Sequence, residues 1–525
     1  WKNSNSSVLS YNNGRFVILK APAEDTLLAY KNNVLYKSVA VNIVGYPIQG
    51  TKENPLTIES VEELVLFRDI INADTGLYKN VDISNGGYGH YFMITNDLNL
   101  DSICGIIGND TINWIPIGTK KYPFKGVLYG RNHTIKNLFI NHHTKELKNK
   151  EMTYAISAET VNEEIYDKIL SISMDSLYFG LFGYLSGAKI DSLHLVNTYI
   201  NGVYFVGSIA AFADSSSITY CSNSGKLKGD YYIGGIIGRS VAGNIYSCVN
   251  ISDVEGYVAL GGICGDLRNH SELSFCLNSG NVMGSSANIG GISGIIDASS
   301  LSYSINTGSV KAPSYVGSIV GNKKNASVFN CIYDKQTSLK KAIGQDKNKV
   351  GTDDDSAMVN GKQTLELLGN SLQTWINDSL EHWYYHQSMY PIPLGMESFD
   401  IAYVAAIPVF LQNDESVDSI YTDFKLGKGK INQSVTWETY DSMRVNIVDS
   451  MAFIACFTHK DLVSLSCTKN DVMKNIYCKV SNSTEIPSKP WRIYGKDTIY
   501  EAGIYTYYID TVKGAAHYEW KCFDT

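Results

Sequence analysis

A glycine-rich phrase repeats through the middle of the chain at a nearly constant interval. It reads approximately apolar-Gly-Gly-Ile-x-Gly, then a polar turn, then Ile-x-x-Cys-x-Asn, as in YIGGIIGRSVAGNIYSCVN from Tyr232. Steps of 27, 27, 29 and 27 residues separate its first glycines, which are Gly207, Gly234, Gly261, Gly290 and Gly317. An interval of this size predicts stacked structural repeats. The function of the chain then depends on what the stack carries.

Each repeat contains three strand-like pieces, which in one repeat run about Tyr232 to Ile237, Asn244 to Cys248 and Ile251 to Glu255. Gly or Asn stands at the corners, where a positive φ or a close backbone approach is needed. Three sides and about 27 residues predict a triangular coil. We therefore expect an all-β protein, with a parallel β-solenoid (β-helix) over roughly residues 90–335 and a β-sandwich after it.

A short amphipathic helix over residues 61–72 precedes the repeats. Ser60 and Glu63 have the spacing of a capping box, and Val61, Leu64 and Phe67 begin one apolar stripe. Because the first coil of a solenoid exposes an apolar end, we expect this helix to cap it.

One cysteine slot recurs in successive repeats. Cys221, Cys248, Cys276 and Cys331 occupy it, and Ser304 fills the remaining place. Equivalent side chains of stacked coils lie about 4.8 Å apart, which favours an inward ladder of small apolar groups. Disulfides within the ladder and a metal site are the alternatives. The other cysteines are Cys104, Cys264, Cys456, Cys467, Cys478 and Cys522, and a disulfide in the C-terminal part is left open.

The chain divides into five parts by pattern. These are a β lead-in (1–50), the solenoid with its capping helix and an insertion at 141–176 (51–335), a linker and C-terminal solenoid cap (336–396), a β-sandwich (397–483) and the start of a further module (484–525). In the cap, Trp375, Trp383 and Tyr390 are expected to roof the last coil, with stacking on sugars as the alternative. We expect the parent chain to continue beyond Thr525.

Candidate chemistry is sparse. The pair His142 and His143 in the insertion and the run Asp353 to Asp355 are interpreted as solvated surface groups rather than metal ligands. Asp214, Asp266 and Asp297 follow the glycine phrase, where a glycosidase would place paired carboxylates. Arg239 and Asn322 stand at similar places, so turn solvation is the preferred interpretation.

These patterns assign no catalytic, cofactor-binding or metal residue. The only cofactor left open is weakly bound Ca²⁺ at the coil turns. A net charge of −8 without a long Lys/Arg run argues against a nucleic-acid surface. No apolar run is long enough to span a bilayer.

Two stretches resemble known families. The order ENPLTIESVEELVLFRDIIN, YFMITNDLNL, WIPIG and FKGVLYGRNHTIKNLFIN, followed by the repeats and a closing YPIPLG, resembles the GLUG-motif cell-surface proteins of the Bacteroidetes over about residues 50–395. The last part resembles the start of a PKD-like or immunoglobulin-like module of large secreted proteins, many of them exported by type IX secretion. The matching positions are Gly495, Gly503, Tyr505, Gly514, Ala515, Tyr518 and Trp520.

These resemblances imply an extracellular or cell-surface location. They also imply a noncatalytic adhesin-like or stalk-like module that binds glycans or host and cell-surface proteins. Export or anchoring would use outer-membrane machinery through sequence beyond this chain. The alternatives are a polysaccharide-active β-helix enzyme, a lyase or hydrolase, and the noncatalytic part of a larger surface protease.

Overall fold

A parallel β-solenoid forms the centre of this computed structural model. The structure describes residues 49–108, 110–142, 177–338, 340–347, 359–369, 382–386 and 389–408, together with 1–4, 9–12, 15–18, 23–43, 423–425, 436–439, 445–448, 451–454, 462–479, 493–494 and 508–509. From residue 182 to residue 362 the chain completes about six turns. The predicted fold class is confirmed.

Three parallel sheets make the sides of the solenoid. Face A has seven strands: Phe182–Ser186, Ala210–Asp214, Ile237–Val241, Cys264–Arg268, Ser293–Asp297, Val320–Lys324 and Ile343–Asp346. Face B has nine strands: Leu56–Ile58, Tyr91–Ile94, Val127–Tyr129, Lys189–Asp191, Ser217–Thr219, Asn244–Tyr246, Glu272–Ser274, Ser300–Ser302 and Ser327–Phe329. Face C has sixteen strands: Leu98–Asn99, Thr134–Lys136, Phe139–Asn141, His194–Asn201, Val206–Gly207, Ser222–Gly234, Val249–Asn250, Asp253–Gly261, Leu277–Asn278, Val282–Gly284, Ile289–Gly290, Ile305–Asn306, Val310–Lys311, Val316–Gly317, Cys331–Asp334 and Val359–Lys362.

The glycine phrase is a corner and not the middle of a strand. The strand expected over about Tyr232 to Ile237 is wrong, because one strand ends at Gly234 and the next begins at Ile237. The solenoid also extends past residue 335, since Val359–Lys362 pairs with Cys331–Asp334. Part of the expected linker therefore belongs to the stack.

The Asn that ends each phrase forms a buried ladder inside the coils. Asn250 Nδ2 donates to Asn278 Oδ1 at 2.9 Å, and Asn278 Nδ2 donates to Asn306 Oδ1 at 2.8 Å. The second glycine of the phrase makes room for this ladder, because a Cβ at Gly262 would lie 2.2 Å from Asn278 Cγ. The phrase thus couples a glycine on one side of the coil to an amide on another.

The cysteine slot forms the expected inward ladder. Cys248 and Cys276 are fully buried in the same hydrophobic cluster as the coil interiors. The backbone N–H of Cys248 approaches Cys276 Sγ at 3.4 Å, and the N–H of Cys276 donates to Ser304 Oγ at 3.2 Å. The described cysteines are free thiols, and burial raises the pKa of Cys221 and Cys248 well above the usual value for a thiol.

Helix α1 (Val61–Ala73) closes the N-terminal end of the core, as predicted. Ser60 Oγ accepts from the Glu63 N–H at 3.3 Å, while the Glu63 carboxylate accepts from the N–H of Glu59 and not from that of Ser60. Phe67 lies 4.8 Å from Phe92 between ring centroids and belongs to the solenoid core cluster. The helix covers the apolar end of the first coils.

A segment that we call the strap, of which residues 364–369, 382–386 and 389–407 are described, lies along the side of the solenoid. Its helix α2 (Asp400–Ala405) and the residues around it form one cluster with an outer column of face C, which comprises Val249, Leu277, Ile305 and Ile332. Tyr390 and Trp383 belong to that cluster, so their expected position as a roof over the last coil is wrong. Trp375 lies outside the described residues.

The strap is anchored at two separated places on face C. On the strand Cys331–Asp334, buried Asp334 accepts hydrogen bonds from Tyr390 Oη at 2.6 Å and from Thr364 Oγ1 at 2.7 Å. At the other end, the Phe399 ring lies 4.2 Å from the His194 ring. Between these anchors the strap covers the apolar column.

Antiparallel strands make up the parts outside the solenoid. The C-terminal region contains two three-stranded sheets, one of Asp423–Lys425, Val445–Val448 and Met451–Ile454, the other of Thr436–Thr439, Leu462–Lys469 and Val472–Lys479. Both suit a β-sandwich. The remaining elements are the strands Lys2–Asn3, Leu9–Asn12, Arg15–Ile18, Ala23–Lys31, Val34–Ile43, Leu77–Tyr78, Val81–Asp82, Gly105–Ile107, Asp110–Ile112, Trp383–Tyr384, Ile392–Pro393, Ile493–Tyr494 and Tyr508–Ile509, and the 3-10 helices Asn85–Gly87 and Thr364–Leu367.

Candidate functional site

The acidic residues that follow the glycine phrase fall into two neighbouring columns of face A. Arg239 is opposite Asp266 on the adjacent strand, and Asp266 is in turn opposite Ile295. In the other column, Asp297 lies between Arg268 and Lys324. Asp214 belongs to this second column, opposite Val241. The three aspartates therefore do not face one another across a shared space.

An alternating ion-pair ladder neutralises the carboxylates of Asp266 and Asp297. Asp266 forms ion pairs with the guanidinium of Arg239 and, through both oxygens at 2.9 and 3.0 Å, with Arg268 Nε. Lys324 Nζ lies 3.1 Å from Asp297. The carboxylate of Asp266 is 0% exposed, so the interpretation of this residue as solvated at a turn is wrong. Both oxygens of the Asp266 carboxylate are engaged by arginines, so neither is available to a substrate.

The predicted metal candidates gain no support from the described residues. His142 lies beside Phe179, with 6.1 Å between ring centroids, while His143 and the run Asp353 to Asp355 lie outside the described residues. Within the part of the chain that the structure describes, no three His, Cys, Asp or Glu side chains could hold a metal ion.

None of the described helices is both long and apolar enough to cross a bilayer.

Two cavities open on the surface of the described region. The corner groove, of about 480 Å³, runs across the turns between face A and face B from Gly187 to Glu272. Small residues such as Ala242 and Gly243 leave it wide and shallow. The second cavity, of about 430 Å³, lies between face C, the strap and the turn of the C-terminal hairpin, and we call it the strap crevice.

Three elements line the strap crevice. Face C contributes His194 and Val196, together with Asp97, Thr134 and Lys136 from the adjoining coils. The strap contributes residues 398–401, and the hairpin turn contributes residues 470–472. An ion pair between Lys136 and Asp471, 2.5 Å from Nζ to Oδ2, joins the solenoid to the hairpin beside it.

One of the residues that line the crevice is a buried histidine. His194 is 2% exposed, and its Nδ1 lies 2.7 Å from Ser222 Oγ. Its other ring nitrogen, Nε2, is buried and has no hydrogen-bond partner among the described residues. Burial lowers the pKa of His194 to about 4, with Asp97 acting weakly in the opposite direction, so the imidazole is neutral at pH 7.

The crevice is lined both by apolar side chains and by hydrogen-bond acceptors. Val196, Ile401 and Val472 supply aliphatic surface, and Phe399 supplies an aromatic ring. The carboxylates are held by partners: Asp97 accepts from the Thr134 N–H at 2.9 Å, and Asp400 forms an ion pair with Lys469 at 2.5 Å. These groups are fixed in place, and their remaining oxygen lone pairs are acceptors.

Sequence reasoning did not identify this crevice. Its signal was present in one column of face C, where His194 and Ser222 precede Val249, Leu277 and Ile305 in successive coils. A histidine in a column that becomes aliphatic departs from the repeat. The strap and hairpin residues could not be found in this way, because they are remote in sequence and only the fold brings them to face C.

Comparison with known proteins adds little. No protein-family model matches the chain, and no curated protein does. Among solved structures, an IgA1 protease matches with a TM-score of 0.34 and 14% sequence identity, over 65% of this chain and 24% of the protease chain. This chain thus spans less than a quarter of the length of that protein, and a match at this level carries no argument about activity. The resemblance to GLUG-motif proteins stays a prediction.

Proposed function

We propose that this chain is a noncatalytic, rod-like module of a secreted or cell-surface protein that binds glycan or protein partners along its side. The observation that carries the proposal is the environment of Asp266. The residue most suitably placed for carboxylate chemistry is fully buried between two arginines.

The architecture supports a spacing and binding role. Each coil contacts its neighbours and adds to one continuous core, which produces a stiff stack. Nine strands of face B at about 4.8 Å spacing give a stack about 40 Å long. The proposed location outside the cell rests on the sequence resemblance described above.

The test is an assay for hydrolysis or lyase products with a panel of plant, bacterial and host polysaccharides. We expect no turnover above that of a heat-inactivated sample. Asp266→Asn and Asp297→Asn serve as matched variants. Turnover by the native protein that disappears in either variant would overturn the noncatalytic proposal.

A further inference from the structure

We propose that the strap crevice binds a short segment of a neutral carbohydrate, with a hydroxyl of the sugar at His194 Nε2. This inference rests on the proposed function and names both the ligand class and the place where the binding module would hold it.

The buried imidazole calls for a hydroxyl partner. A neutral imidazole has one donor and one acceptor nitrogen, and the hydrogen bond between Nδ1 and Ser222 Oγ is possible with either tautomer. Nε2 is then an acceptor in one tautomer and a donor in the other. A sugar hydroxyl satisfies both cases because it donates and accepts. It would also remove the cost of leaving a buried polar atom unpaired.

The charge of the rim selects against anionic ligands. Among the described residues that line the crevice, Asp97, Asp400 and Asp471 are acidic and Lys136 is the one lysine or arginine, while Lys469, outside the lining, is paired with Asp400. Lys136 is already paired with Asp471. A uronic acid, a sialic acid or a phosphate would bring a further negative charge to this rim. A neutral polyol brings hydroxyl donors to carboxylate acceptors instead.

The size and surface of the crevice suit a sugar ring. A volume of about 430 Å³ falls within the usual range for small-molecule sites. Val196, Ile401 and Val472 give the crevice aliphatic surface, and polar side chains line the same cavity. A pyranose ring has the matching distribution, with C–H groups on its faces and O–H groups at its edges.

A peptide fits the strand edges less well. Extended peptides are commonly bound by addition to an open strand edge. The face C strands Thr134–Lys136 and His194–Asn201, which supply the solenoid wall of the crevice, are hydrogen-bonded to neighbouring strands on both sides. That wall offers no free edge.

The experiment uses the full chain and isothermal titration calorimetry. The probes are cellobiose, maltose, lactose and N,N′-diacetylchitobiose, with sialyllactose as the anionic counterpart of lactose and triglycine as a neutral peptide. His194→Phe keeps a buried ring against Phe399 but removes Nε2, together with Nδ1 and its hydrogen bond to Ser222. Ser398→Trp fills the mouth without changing a buried group, since Ser398 is exposed. Asn244→Ala, in the corner groove, is the matched control.

We expect saturable binding of at least one neutral disaccharide in the millimolar range or tighter. Affinity should fall at least about tenfold in His194→Phe and Ser398→Trp, because a buried hydrogen bond or the space itself is lost, and stay unchanged in Asn244→Ala. Where lactose binds, sialyllactose should bind more weakly. Circular dichroism and thermal unfolding of each variant check that the fold is retained.

Three outcomes would overturn the inference: no binding of any neutral disaccharide, binding that both crevice variants leave unchanged, or equal binding of triglycine. The second outcome would still support a glycan-binding module. Release of new reducing ends from the disaccharides would instead contradict the noncatalytic function, so the two failures are distinguishable.

Discussion

Face A and face C are built from the same repeat, yet their outer surfaces follow different rules. The outer side of face A carries alternating charges from Arg239 to Lys324, which pair with one another along the stack. The corresponding column of face C becomes aliphatic from Val249 onward and is covered by the strap. The charges of face A are paired within the solenoid, whereas the aliphatic column of face C is shielded from solvent by the strap.

The difference shows that coil geometry and surface chemistry are separable. Inward positions are constrained by the glycine corner, the Asn ladder and the cysteine slot. Outward positions are free to change from coil to coil, provided that each column is either neutralised or covered. The strap crevice lies where the covered column changes from His194 and Ser222 to aliphatic residues. The site is therefore found at the end of the aliphatic run.

Removing one charge from face A should give the largest effect. Asp266→Ala leaves two arginines, one of them buried, without their shared carboxylate, and we expect a loss of about 3–5 kcal/mol in the free energy of unfolding. Asp214→Ala is the control, with a change within about 0.5 kcal/mol. Urea denaturation measures both. Equal losses would mean that the buried ion pairs of Asp266 are no more important than a partly buried carboxylate at a strand end.

Truncating the covered column of face C should give a somewhat smaller loss. Leu277 is fully buried beneath the strap, and Leu277→Ala should lower the free energy of unfolding by about 3 kcal/mol through lost burial and a cavity. Leu394, 41% exposed in the strap itself, is the matched control and should change little on replacement by alanine. A small effect at Leu277 would show that the strap does not need this column.

Acid should weaken the covered side through His194. Its folded pKa of about 4 lies below the unfolded value near 6.5, so the unfolded chain binds more protons between these values and stability falls as the pH falls through this window. From pH 7 to pH 5.5 the histidine should contribute a loss of about 1 kcal/mol. The measurement is the difference in unfolding free energy between the native protein and His194→Phe at each pH. A difference independent of pH would contradict the buried neutral imidazole.

The smallest effect should come from the cysteine slot, whose side chains lie in the core of the coils. Cys276→Ser reproduces the residue found at Ser304, whose Oγ donates to the Ser302 carbonyl at 2.9 Å, so we expect a change within about 1 kcal/mol. Cys276→Leu is the contrasting variant and should overpack the coil. Thiol labelling of Cys248 and Cys276 should be slow in the folded protein and fast after denaturation. Rapid labelling of the folded protein would place the ladder outside the core.

The sequence contained enough information for the stack but not for what lies on its side. Repeat spacing predicted the coils, the corners and the inward Cys276 slot, because each depends on residues close in sequence or on their exact recurrence. The burial of Asp266 escaped prediction because it depends on Arg239 and Arg268, one of which lies a full coil away. The predicted position of Trp383 and Tyr390 as a roof over the last coil was wrong for a similar reason. An aromatic segment after a repeat must cover something apolar, but sequence does not reveal whether that is the end or the side.

Because the strap is anchored at two places on face C, its length is linked to the number of coils between them. A solenoid by itself tolerates the gain or loss of a whole coil, because each coil meets only its neighbours. Here the strap must reach from Asp334, on the strand Cys331–Asp334, to His194, and a duplicated or deleted coil between them would displace one anchor by a full step. The number of coils between the two anchors is thus fixed by the length of a segment outside the repeat. A coil can be gained or lost there only if the strap changes in length as well.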